Sequence, residues 1–251
     1  MPLRQSKIFW KGCSPSGKHG DILNYRFLDT LHPYTELAIN GNDLTHPDLF
    51  KFLELLKDKK VICNMTVNQV HFELNQEMIK YLVKNGLIHG LGVSLREPTD
   101  NFIKLVKQYP NAVIHTINGI LTEEDYKKLA DNDLKILILG YKMLKRGNDY
   151  YLKEENNIKK NQEWLKGNLH EVINHFKVVS FDNLSIEQLD VKRLMTDEEW
   201  EEFFMGKDGG FTFYIDLVEG VFGKNSLAPV DERYPIMDNI DDMFKKIRVK
   251  D

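Results

Sequence analysis

Three groupings of residues in this 251-residue chain have types and spacings that could do chemistry. The first is Gly12-Cys13-Ser14-Pro15-Ser16-Gly17-Lys18, which matches the G-x4-G-K spacing of a phosphate-binding loop. In such a loop backbone N–H groups cradle phosphate and the lysine neutralises it. Here His19 stands where a Ser or Thr hydroxyl would hold Mg²⁺, and Pro15 removes one N–H from the cradle. Gly12, Gly17 and Lys18 are candidate phosphate contacts, against the simpler reading of a surface turn before a helix. The second grouping is a set of polar residues that each follow a short apolar run: Asn40, Asn42, Asp43, Asn64, Thr66, Asn68, Ser94, Arg96, His115, Asn118, Lys142, Ser180 and Asp182. Amides and hydroxyls can hydrogen-bond a small polar ligand, while the Arg96 fork suits a carboxylate or phosphate. Any single Asn in a loop is more often a turn residue, so the argument rests on recurrence. Asp182 and Asp216 could act as acid or base, or cap the element that follows. The third grouping is negative. His19, His71, His89, His115 and His170 show no metal-ligand spacing, and no metal is expected. Cys13 and Cys63 lie too far apart in sequence to suggest a disulfide framework or a thiolate metal site, and Cys63 reads as a core thiol.

These residues need a scaffold, and the stretch Thr35 to Asn68 shows its unit. Leu37-Ala38-Ile39 is an apolar run too short for a helix and reads as a strand buried on both faces. After Gly41-Asn42-Asp43, Thr45 is a candidate cap and Pro47 fits the first turn of a helix carrying Leu49, Phe50, Leu53 and Leu56. Val61-Ile62-Cys63 opens the next strand, which runs out into Asn64, Thr66 and Asn68. The pattern continues with a helix at Leu74 to Asn85, a strand at Gly90 to Leu95, a helix at Asn101 to Tyr109 and a strand at Ala112 to Thr116. A capped helix at Thr122 to Asp131 and the strand Leu134 to Leu139 follow. Lys145 to Lys160 reads as a charged excursion, Ile158 to Phe176 as a helix, and Val178 to Phe181 as a strand. Lys7 to Trp10 is a further strand candidate, and Ile22, Leu23, Phe27 and Leu28 suggest an amphipathic helix. Toward the end, Ser185 with Gln188 and Thr196 with Glu199 match capping boxes, Phe211 to Val218 is a strand, and Pro235 precedes a helix with Ile240, Phe244 and Ile247.

The expected fold is α/β: a partial (β/α) barrel of about six mainly parallel strands, in which binding groups gather where the strands end. With no linker-like tract, the chain is expected to form a single domain over 1–251. Residues 1–34 would be a loop and helix, 35–181 the repeat core, and 182–251 the C-terminal helices and last strand. A formal charge of -4 provides no global basic field for nucleic acid. No apolar run is long enough for a membrane span and the first twenty residues lack a secretory apolar stretch, so the expectation is a cytoplasmic protein.

In order and spacing these motifs resemble the radical S-adenosylmethionine (SAM) superfamily over roughly Leu37 to Tyr141. LAINGNDLTHPDLFKFLELLK is similar to that family's second strand, its Gly-Gly-Glu-Pro loop and the following helix; ICNMTVNQ, GLGVSL and AVIHTIN are similar to the third, fourth and fifth strands. FTFYIDLVEGVFGKNSL resembles a C-terminal segment of some members, including radical-SAM-like proteins carried by phages. The resemblance implies a partial barrel, an iron–sulfur cluster and bound SAM. Two departures oppose the chemistry. The family's Cys-x3-Cys-x2-Cys has only Cys13 as counterpart, and one thiolate cannot hold a cluster. The loop reads Asn40-Gly41-Asn42-Asp43, with the neutral Asn42 in the place of the glutamate. The expectation is a degenerate barrel without cluster or SAM chemistry, with no catalytic residue assigned, binding a small polar or anionic ligand or a protein partner at its mouth. The alternatives are an enzyme whose cluster is completed elsewhere, a cluster-free catalyst using Arg96, His115, Lys142 and Asp182, or an NTP-binding protein built on Gly12 to Lys18.

Overall fold

The computed structural model describes residues 7–14, 17–39, 43–144, 146–210 and 212–248. They fall into two compact units, one made of Met1–Gly92 with Gly206–Asp251 and the other of Val93–Met205. The first unit opens with β1 (Lys7–Lys11), β2 (Glu36–Ile39), α1 (Leu49–Asp58), β3 (Ile62–Asn68), α2 (Gln69–Leu74), α3 (Gln76–Lys84) and β4 (Gly90–Ser94), within which the unit boundary falls. β1 pairs in parallel with β2, and β2 with β3. Helix α1 turns Leu49, Phe52, Leu53 and Leu56 inward, the spacing of one helical face. Phe52 rather than Phe50 is the core aromatic, and it stacks on Trp10 with ring centroids 5.1 Å apart.

The strands of this unit alternate. Ile8 and Trp10, Leu37 and Ile39, and Cys63, Met65 and Val67 are buried, while Glu36, Ala38, Ile62, Asn64, Thr66 and Asn68 between them are half-buried. The expectation that Leu37-Ala38-Ile39 is buried on both faces is therefore corrected. A period-two pattern means that only one face is fully covered.

The second unit continues with α4 (Asp100–Val106), β5 (Ala112–Ile117), α5 (Glu123–Leu129), β6 (Lys135–Leu139), α6 (Arg146–Val172), β7 (Val178–Phe181), α7 (Asn183–Leu189) and α8 (Asp197–Phe203). β5, β6 and β7 pair in parallel in that order. The capping boxes Thr122/Asp125 and Thr196/Glu199 form as the sequence suggests. The chain then returns to the first unit with β8 (Thr212–Asp216), β9 (Val221–Gly223), β10 (Tyr234–Pro235) and α9 (Ile240–Ile247). β8 lies parallel to β1, and β9 and β10 add in antiparallel fashion. Phe213 of β8 meets Phe244 of α9 edge-on at 4.4 Å, which fixes the closing helix to the strand.

The mostly parallel α/β order holds, with ten strands among the described residues where about six were expected. Several local expectations do not hold. Ile22 and Leu23 are not helical; only a 3₁₀ turn, Arg26–Thr30, forms there. Helix α1 begins after Asp48, with Thr45 in a separate 3₁₀ turn. The helix expected over Leu74 to Asn85 forms as α3 with its caps at Asn75 and Asn85, and a short helix that was not expected, α2, precedes it. From Arg146 the expected excursion is helix, supported by pairs such as Glu155 with Lys159 at 2.7 Å, which need no apolar face. Asp182, not Ser185, caps α7. Asn40, Gly41 and Asn42 lie outside the described residues, as does the side chain of Asp43. Among the described residues no helix is long and apolar enough to cross a membrane.

Candidate functional site

In the first unit the half-exposed strand face carries polar groups that contact one another. Glu36 at the start of β2 accepts from Lys7 Nζ at 2.6 Å and from Asn64 Nδ2 at 2.6 Å. Asn64 has this orientation because Gly90 leaves room for it: a Cβ there would stand 2.6 Å from Asn64 Oδ1. Lys11, on the same face of β1, reaches Asp216 Oδ2 at 2.7 Å. Tyr214 donates to that oxygen at 3.3 Å. Burial first, and then the Asp216 carboxylate, push the Tyr214 phenol up, so it stays a donor. Between the two ion pairs Phe9 is 42% exposed, with Lys7 Nζ 5.5 Å from its ring centre. The result is a face of two neutralised ion pairs, an amide, the Thr66 hydroxyl and an open aromatic ring.

The described residues on either side of Pro15 and Ser16, which themselves lie outside the described residues, bond to one another rather than opening a helix. Gly20 N–H donates to Gly12 O at 2.7 Å, Ser14 N–H to Lys18 O at 2.8 Å and Gly17 N–H to Ser14 O at 3.0 Å, while Lys18 N–H donates to Ser14 Oγ. The N–H groups of Ser14, Gly17 and Lys18, which a phosphate cradle would use, are therefore committed to partners within this segment. Lys18 is exposed, and Cys13 Sγ lies 2.9 Å from His19 Nδ1. Lys18→Ala is expected to change stability by no more than about 0.5 kcal/mol and to leave the protein without Mg-dependent ATP hydrolysis, as before. Thermal denaturation and a phosphate-release assay check this; a micromolar ATP affinity abolished by the substitution would contradict it.

In the second unit the strand ends carry a different network. Gln188 of α7 accepts from Tyr141 N–H at 2.8 Å and donates to Tyr141 O at 2.9 Å. The same Oε1 accepts from Asn118 Nδ2 at 3.0 Å. Asn118 is 1% exposed, and its Oδ1 has no hydrogen-bond partner among the described residues. Asp182 Oδ1 accepts from Gly140 N–H and Ser185 N–H, both at 2.8 Å. Asp182 is thus a cap, as Asn68 is for α2 through His71 N–H. Ser94 and His115 are half-buried, and Arg96, Lys142 and Ser180 are exposed. Sequence reasoning missed Lys7, Phe9, Lys11, Glu36 and Gln188. The alternation Lys7-x-Phe9-x-Lys11 was the available signal for three of them, since it puts all three on one strand face.

The donors for an iron–sulfur cluster do not fit. Cys63 belongs to the buried row of β3, on the opposite face from Asn64, and Cys13 is paired with His19, so no two thiols of this chain share the polar face. A cluster needs three or four converging thiolates, and the whole chain has two cysteines.

No protein-family model matches the chain, and no curated protein matches it. Among solved structures, SuiB of Streptococcus suis bound to S-adenosylmethionine is similar, with a TM-score of 0.55 and 12% identity over 96% of this chain and 64% of that one. The chain therefore spans under two thirds of that neighbour's length. Tryptophan synthase from M. tuberculosis in an open form gives a TM-score of 0.36 at 7% identity, covering 74% of this chain and 85% of that one, too low to carry an argument. The SuiB likeness supports a radical-SAM-like α/β fold, and at that identity it is the fold alone that the chain shares.

Proposed function

We propose that this chain is a binding protein on a radical-SAM-like fold that has lost the cluster chemistry, and that the polar strand face of the first unit holds a small polar or anionic ligand. The observation that carries the reading is the row Glu36, Asn64 and Thr66 beside Lys7, Phe9 and Lys11, half-exposed opposite a fully buried apolar row. A face meant to be closed by packing would carry apolar groups, because an unpaired buried polar group costs about 1–3 kcal/mol. An exposed ring with hydrogen-bonding groups on either side suits a ligand with one flat and one polar part. Two buried thiols, of which Cys13 contacts His19, are too few to hold a cluster and support the loss of reductive SAM cleavage.

The test has two readouts on one preparation. Anaerobic reconstitution with iron and sulfide is expected to produce no visible cluster absorption and, with SAM and reductant, no 5′-deoxyadenosine; either product would overturn the cluster-free reading. A thermal-shift screen of small carboxylates, phosphates and nucleosides is expected to find at least one stabilising compound whose affinity falls about tenfold in Phe9→Ala, the order of one lost ring contact. The absence of any such compound, or binding unchanged in Phe9→Ala, would sink the ligand face.

A further inference from the structure

Outside that face, α4, α5 and the residues that follow them line an open surface cleft of about 430 Å³, formed by Asp100, Ile103, Lys104, Lys107, Lys128 and Asn132. Three ammonium groups face one carboxylate in this lining. Among the exposed helix lysines, Lys80 pairs with Glu77, Lys127 with Glu123, Lys159 with Glu155 and Lys245 with Asp242, whereas Lys84, Lys153, Lys160 and Lys166 form no ion pair among the described residues. The cleft lysines belong to the second group, and they differ from it in sharing one cleft. Asp100 and Glu124 stand four residues before Lys104 and Lys128, the favourable order for a helical ion pair, yet among the described residues neither pair forms. Lys104 and Lys107 sit one turn apart with like charge, an arrangement that destabilises an isolated helix.

We propose that this cleft binds a diphosphate group of a small molecule. Lysine is a compact point charge on a flexible stem, so three of them around one cavity suit a small anion of high charge density better than a planar carboxylate, which favours the arginine fork. The volume lies in the range of small-molecule sites, roughly 300–1,000 Å³, and exceeds what one phosphate fills. Ile103 supplies an apolar wall for whatever carries the diphosphate. A simpler role for the lysines is to offset the carbonyl ends of α4 and α5, since all three stand near those helix ends. That role requires neither a cleft nor a ligand, and the two accounts part in solution.

The experiment is calorimetric titration of the full chain with inorganic pyrophosphate and with ADP at fixed ionic strength. The variants are the triple Lys104→Gln, Lys107→Gln, Lys128→Gln, and a charge-matched triple, Lys80→Gln, Lys159→Gln, Lys245→Gln. Saturable binding of either probe is expected, weakened about three- to tenfold by each single cleft substitution and lost in the cleft triple, with the matched triple within twofold of the parent. Circular dichroism of both triples checks that the fold is retained. No saturable binding of either probe, or an equal loss in the two triples, would overturn the proposal, the latter because it would report net charge alone.

Discussion

Asp216→Ala is expected to lower stability by about 3–5 kcal/mol, the usual cost of removing one partner from a buried ion pair. The Asp216 side chain is 2% exposed and accepts four hydrogen bonds. Lys11 Nζ and the Tyr214 hydroxyl bind Oδ2, while the N–H groups of Val218 and Glu219 bind Oδ1 at 3.1 and 3.2 Å. Alanine leaves the Lys11 ammonium without its carboxylate and frees the turn that leads from β8 into β9. Asp216→Asn keeps an acceptor for the turn but likewise takes the carboxylate from Lys11, so it is expected to cost about 1–2 kcal/mol less than alanine. Urea denaturation of the two variants separates the terms. If alanine cost no more than asparagine, the turn hydrogen bonds would contribute nothing and the carboxylate facing Lys11 would carry the whole effect.

Gln188→Ala is the second large effect, at about 2–4 kcal/mol, because one side chain serves three groups. Its removal leaves the N–H and C=O of the 6%-exposed Tyr141 and the Nδ2 of the 1%-exposed Asn118 without their partner. Gln188→Glu provides the control. It retains an acceptor for Tyr141 N–H and Asn118 but sets a carboxylate against the Tyr141 carbonyl, so it too is expected to destabilise, by less than alanine near its own pKa and by more well above it. Melting curves across pH read this directly, and a pH-independent difference between parent and Gln188→Glu would contradict the assigned geometry.

The sequence by itself determined the alternation of strands and helices. The apolar spacings of α1 and α9, the capping residues Thr122 and Thr196 and the runs Leu134 to Leu139 and Phe211 to Val218 are local signals, and local propensity and tertiary packing agree on them. The shortage of thiolates was equally legible, because a count of two cysteines needs no geometry. Other local signals were overridden. Ile22 and Leu23 have a helical look, but the bonded segment before them and the Asp21 side chain, which accepts from Leu23 N–H and Asn24 N–H, hold that backbone in a turn. Ser185 and Gln188 match a capping box, yet Ser185 Oγ donates to Ile138 O at 2.7 Å and Gln188 reaches Tyr141. Both partners are more than forty residues away in sequence, beyond any window a motif can see.

The candidate site was legible only in part for the same reason. A residue's place after an apolar run tells where a strand ends but not which neighbour its side chain meets. Asn64 was visible as an amide at a strand end, whereas its partner Glu36 lies at the start of another strand and came into contact only through the parallel register that sets Ala38 opposite Asn64. Lys11 and Asp216 stand 205 residues apart and meet because β8 pairs with β1 in the register Lys11 to Asp216. Spacing along the chain can announce a face, since side chains alternate with period two. Which charges share that face is decided by strand order and register, and those belong to the tertiary structure.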